Sequence, residues 1–161
     1  MLMSDPLQRK MVGHAALILF VAMCAGIALL VSTVGGIELI PGKLTALEIP
    51  GNTGAWARTH VGGILNALLV FVVAIILPGL GFASRSASLV GMTLIGTGWA
   101  NTLFYWAAIF APNRALTFAA NRFGNANLAS LIGLAPALLF SVLSLITVGV
   151  IARQAFRKST A

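Results

Sequence analysis

Few side chains in this sequence can do chemistry, and those few cluster. His60 is followed six residues later by Asn66, while Thr97, Asn101 and Tyr105 recur at every fourth position, one stripe on a helix. All five fall inside or at the edge of long apolar runs, where a polar group is costly and therefore informative. An imidazole can hold a metal through one nitrogen, and amide or phenol groups can donate to an oxygen that gains negative charge. The runs contain no Asp, Glu or Lys; Asp5, Glu38 and Glu48 lie outside them. That argues against a proton-coupled exporter, which needs an ionisable group within the membrane. The single cysteine, Cys24, allows no intrachain disulfide, cysteine-rich zinc site or iron–sulfur cluster.

The elements that carry these residues are membrane helices. Of 161 residues, 59% are hydrophobic and 8% charged, and the mean hydropathy is +1.00. Such a chain cannot build a solvated surface, so a soluble domain is excluded. Spanning hydrocarbon takes about 20 apolar residues. Four windows qualify, at residues 11–34, 56–80, 89–110 and 128–152. The expected fold is an all-α membrane protein, a single domain over residues 1–161 with four transmembrane helices in an antiparallel bundle. The net charge of +7 would suggest nucleic acid in a soluble protein, but here the basic residues flank the runs and act as topology signals. The first run has a basic start at Arg9 and Lys10, yet it exceeds the roughly 7–15 residues of a signal-peptide core and is expected to remain as a helix.

Arg9, Lys10, Arg85, Arg153, Arg157 and Lys158 fall on the side of the termini, against Lys43, Arg58, Arg114 and Arg122 opposite. This bias places both termini in the cytoplasm. Pro78-Gly79-Leu80-Gly81 makes a tight inner turn, and the outer loops 35–55 and 111–127 mix Pro, Gly and Asn with apolar residues, as structured caps do. Ala137, Ser141 and Ser144 form a small-residue face on the fourth helix.

At about 1.5 Å per residue, His60 and Tyr105 lie about 6–7 Å below the outer rim, and Asn66 and Asn101 about 14 Å below it. Two helices converge at two levels on a polar pocket. Asn66 is about 120° round the helix from His60, so the two flank one pocket or face two pockets at subunit boundaries. Simpler readings stand beside this one: His60 as an interfacial anchor, the asparagines as interhelical hydrogen bonds, and Tyr105 and Trp99 as an aromatic belt. Arg114 and Arg122 would then be loop charges meeting headgroups or carbonyls. If haem is bound, Arg58 and both of these can pair with its propionates. His14 begins its helix at the inner side, about 20 Å from His60 in depth, which excludes bis-His ligation within one bundle. A single histidine leaves one face of an iron open and suits substrate binding better than electron transfer. The competing reading is a small membrane haem electron-transfer protein with a second ligand from a Met or a partner subunit.

Taken together, the motifs resemble those of the styrene oxide isomerases, bacterial membrane proteins of styrene degradation. The resemblance runs through Arg9-Lys10-Met11, Gly13-His14, Ile40-Pro41-Gly42, Trp56-Ala57-Arg58, His60, Leu65-Asn66, Gly98-Trp99, Asn101, Tyr105, Pro112-Asn113-Arg114 and Leu134-Ala135-Pro136-Ala137. It implies a homotrimer of four-helix subunits in the bacterial inner membrane, with haem b at the subunit boundaries and His60 as axial ligand. Arg58 and Arg114 are then cofactor-binding residues, and Tyr105, Asn66 and Asn101 line the catalytic pocket. The implied reaction turns an aryl epoxide such as styrene oxide into phenylacetaldehyde by ferric Lewis-acid opening and a 1,2-hydride shift. It needs no nicotinamide or flavin, and its substrate would come from a styrene monooxygenase upstream. Thr97 stands where the family carries an acid.

Overall fold

The computed structural model describes residues 6–157. Four helices dominate: α1 (Pro6–Val34), α2 (Thr53–Ile76), α3 (Ser84–Phe110) and α4 (Leu128–Ala155). A two-stranded hairpin, β1 (Gly36–Ile40) and β2 (Lys43–Ala46), fills much of the first outer loop, antiparallel and with an irregular register between Glu38 and Ile40. Gly42 turns it with a φ of 79°, which an L side chain resists. α1, α4 and the α2 segment through Leu80 are long and apolar enough to cross a membrane. α3 is as long, but Thr93, Thr97, Asn101, Thr102 and Tyr105 lower its hydropathy. The expectation of four strongly apolar spans is therefore met by three. The fourth helix of similar length is the polar one at the centre, with α1, α2 and α4 all packed against it.

The helices run further than their apolar windows. α1 starts at Pro6, suited to a first turn where the missing N–H costs nothing. α2 is capped by Asn52, whose side chain accepts from the Ala55 N–H at 2.9 Å. It gives way to a 3-10 turn at Leu77–Leu80, because Pro78 cannot donate to the Ala74 carbonyl. Gln8 of α1 supplies the missing donor at 3.1 Å. Gln154 of α4 donates to Leu80 O at 2.9 Å, so two glutamines hold the inner turn from opposite ends of the chain.

α1 and α2 approach closely where Gly63 meets Ala22: an added methyl group would lie 2.7 Å from the Ala22 Cβ. α4 joins through α3, with the Phe140 ring seated on Gly96 and Gly133 against Ala107. The small-residue face of α4 is accordingly offset from its expected position. Ala137 is buried, whereas Ser141 is exposed, and both Ser141 and Ser144 bond back to carbonyls of their own helix. Outward, α4 shows Leu139, Leu145 and Ile146, a surface suited to lipid or to another apolar face.

Candidate functional site

α2 carries the site on two faces. Thr59, Gly62 and Asn66, spaced by three and four, look towards α3; His60 and Gly63 look towards α1.

On the α3 face, Thr59 is 2% exposed and shares its single hydroxyl proton between Ala55 O at 2.9 Å and Tyr105 O at 3.1 Å. The Tyr105 ring lies on Gly62, where a methyl group would fall 2.5 Å from Cζ. About one turn deeper along α2 than Gly62, Asn101 Nδ2 donates to Asn66 Oδ1 at 3.3 Å. The expected pairing of levels is thus found: Asn66 with Asn101, and Tyr105 one layer outward. The Asn66 side chain is 8% exposed, and its Nδ2 is buried without any hydrogen-bond partner. A buried, unused amide donor is costly, by about 1–3 kcal/mol. The Tyr105 hydroxyl is likewise free of partners among the described residues. Thr97 is buried just below and turns its hydroxyl back to Thr93 O at 2.9 Å.

On the α1 face, His60 Nδ1 lies 2.9 Å from Ala22 O. A carbonyl only accepts, so the proton sits on Nδ1 and the Nε2 lone pair is left free. Gly26 makes room for the ring: a methyl group there would lie 2.7 Å from Cε1. His60 is half-buried. Within one chain His60 and the Asn66–Asn101 pair therefore occupy separate faces of α2, in agreement with their 120° offset.

His14 departs from expectation. α1 begins eight residues before it, so the ring sits more than two turns into the helix and not at the rim. It accepts a hydrogen bond from Trp99 Nε1 at 3.1 Å, with the rings edge to face. Trp99 is thereby a packing partner inside the bundle and not part of a belt. Because His60 meets α1 at Ala22, the two histidines are separated by about 12 Å along α1, less than the 20 Å expected. His14 has its Nδ1 committed to Trp99 of α3 while His60 is turned to Ala22 of α1, so the two rings face different neighbours.

Arg58 and Arg114 are brought together. Both line an outer cavity of about 360 Å³ with Asn52, Pro112 and Phe123. The Arg114 guanidinium lies 3.9 Å from the Phe123 ring centroid, and Arg122 lies 4.7 Å from it. The loop that presents them is rigid for a reason the sequence reading missed. Asn113, fully buried, donates to Thr117 O and Ala119 O and accepts from Ala115 N and from Ser130 Oγ. This holds Arg114 and Ala115 in the left-handed region, at φ 59° and 53°. A Pro-Asn pair before a basic residue was the only visible signal.

No group of three or more His, Cys, Asp or Glu side chains gathers among the described residues. A metal at His60 would have to arrive with most of its ligands already in place. Comparison with known proteins decides the kinship. The family model described as styrene oxide isomerase matches residues 7–156. The chain belongs to the styrene oxide isomerase family. One relative, named styrene-oxide isomerase, from Pseudomonas fluorescens, is 44% identical over 150 residues, covering 93% of this chain and 89% of its own length. The match spans all four helices and both outer loops, so every residue of the candidate site falls within the family's matched region.

Proposed function

We propose that this chain isomerises aryl epoxides, styrene oxide among them, to aldehydes, as the name of its Pseudomonas fluorescens relative implies. The proposal includes haem b held by His60, a homotrimer with the haem at subunit boundaries, and four antiparallel spans in the bacterial inner membrane with both termini cytoplasmic.

The residues fit the cofactor. His60 has its Nδ1–H committed to Ala22 O and its Nε2 free, the arrangement that orients metal-bound imidazoles. Gly26 leaves its ring unobstructed, and Arg58 and Arg114 share one cavity at the outer end, as carboxylate partners would. When bound at a subunit boundary, ferric haem would supply a Lewis acid for the epoxide oxygen, and because His60 and Asn66 face different neighbours within one chain, the donors meeting that oxygen would come from across the boundary.

The chain's own groups have defined tasks. As the benzylic C–O bond weakens, negative charge grows on oxygen, and Asn66 Nδ2, buried without a partner, and the Tyr105 hydroxyl, which makes no hydrogen bond among the described residues, can donate to it. Asn101 holds the Asn66 amide by its oxygen, which leaves the Asn66 nitrogen unengaged. Positive charge appears on the benzylic carbon at the same time, and water there would give a diol. Ile18 and Val70, buried and meeting Gly98 beside the Asn66 carbonyl, keep the surroundings apolar. A hydride then moves from the neighbouring carbon within the substrate. Neither atoms nor electrons are exchanged with the protein, so no cosubstrate is required.

The observation that carries this reading is the buried Asn66 amide donor with no partner. The test is incubation of the purified protein with styrene oxide alone. Phenylacetaldehyde formed in proportion to protein supports the reading; diol, or no turnover by haem-loaded protein, overturns it.

A further inference from the structure

Tyr105 is held at two points by a single helix, and neither contact is explained by packing alone. Its backbone carbonyl accepts from Thr59 Oγ1 at 3.1 Å, across 46 residues of sequence. Its ring covers Gly62, with the ring atoms nearest the hydroxyl closest to the bare α-carbon; an added Cβ would sit 2.5 Å from Cζ and 2.9 Å from Cδ2. Thr59 and Gly62 are one turn apart on the same face of α2, and both are buried. A phenol has only two side-chain torsions. With the carbonyl tethered and the ring pressed on a glycine, the hydroxyl is confined to one location. That location is on the same face of α2 as Asn66, whose donor is also unengaged.

We infer that Thr59 and Gly62 are positioning residues that seat Tyr105, fixing its hydroxyl beside the Asn66 amide so that the two donors converge on one substrate oxygen. This rests on the role given to Tyr105 under the proposed function. Gly62 differs from Gly63, one residue on, which serves helix approach by meeting Ala22. A methyl group at 62 displaces the ring, since the opposing atoms belong to a stiff aromatic. Displacement of a reacting group by about 1 Å can cost on the order of 100-fold in rate.

The experiment measures kcat and KM for Gly62→Ala, Thr59→Val and Thr59→Ser, each in the native and the Tyr105→Phe background. The expected result is a fall in kcat of about ten-fold or more for Gly62→Ala, a smaller fall for Thr59→Val, and recovery by Thr59→Ser, which keeps the hydroxyl. In the Phe background, where no hydroxyl remains to be misplaced, Gly62→Ala and Thr59→Val should change kcat by less than about two-fold, the signature of residues acting through one group. Tyr105 is the sole tyrosine. Fluorotyrosine labelling therefore gives one fluorine resonance, which should shift in Gly62→Ala and Thr59→Val and return in Thr59→Ser, with or without substrate. Equal losses in both backgrounds, or an unmoved resonance, overturn the positioning role while leaving the role of Tyr105 intact. A Tyr105→Phe variant as fast as the native protein overturns both. If Gly62→Ala fails to fold, the Thr59 pair decides, since valine preserves the shape of threonine.

Discussion

The two faces of α2 are built by different means. Towards α1, the middle of the seam is made of Ala22, Gly26 and Gly63, with His60 bonded to a backbone carbonyl, and the Gln8–Ala74 and Ser32–Thr53 hydrogen bonds cross it at its two ends. Towards α3, the seam carries Thr59, Asn66, Asn101 and Tyr105, with cross-helix bonds and a buried Asn66 amide donor left over. The first arrangement fixes a ring and frees one lone pair, which suits holding a ligand. The second fixes donors and leaves one unspent, which suits developing charge. One helix can therefore separate binding of a cofactor from stabilisation of a substrate oxygen, because positions three or four apart share a face and positions six apart do not.

Mutations should separate the faces. The largest effect belongs to the α1 face. His60→Ala should lose bound haem, read from its absorbance in purified protein, and with it nearly all aldehyde formation. His14→Ala should keep both, since that ring serves Trp99. Haem retained at native occupancy in His60→Ala would end the division of labour. On the α3 face, Tyr105→Phe should keep haem while the barrier rises by about 2.7–4 kcal/mol, the usual cost of one oxyanion donor. A native rate would reduce Tyr105 to packing.

Gly26→Ala sharpens the contrast. The added methyl meets His60 at Cε1 and Nδ1, so it should alter the haem spectrum and destabilise the protein by about 1–3 kcal/mol, the typical cost of overpacking. An unchanged spectrum would show that the ring has another resting place. The smallest effect on rate is expected away from both faces. Asn113→Ala leaves buried partners in the outer loop unsatisfied, so thermal stability should fall by about 1–3 kcal/mol. Haem occupancy should fall as well, since Asn113 holds the loop that presents Arg114, while kcat per haem-loaded molecule should stay within about two-fold of native. A large kcat loss would draw the outer loop into the site.

Much of this was legible in the sequence because depth along a helix is simple arithmetic. The pairing of Asn66 with Asn101 and the layer of Tyr105 followed from counting residues from apolar boundaries. Azimuth was half legible: the 120° offset of His60 from Asn66 could be computed, but not which neighbour each faced. Helix starts were not legible. Composition marks where the hydrocarbon begins, whereas α1 continues to Pro6, with Gln8 bonded to Ala74 O of α2, and this moved His14 from rim to interior. Glycines were the least legible of all. Gly26, Gly62 and Gly63 look alike in a string, and only their opposite neighbours show that one seats a histidine, one a tyrosine and one a helix.

The central claim is that α2 displays an epoxide-isomerising site whose oxygen-facing chemistry depends on a ferric cofactor and consumes no electrons. The direct measurement is an anaerobic assay of the purified protein with styrene oxide before reduction, after reduction and after reoxidation, following aldehyde and haem absorbance together. Turnover should be present in the oxidised protein, stop on reduction and return on reoxidation, since the ferrous ion carries one less positive charge. Full activity in the reduced protein would contradict the account.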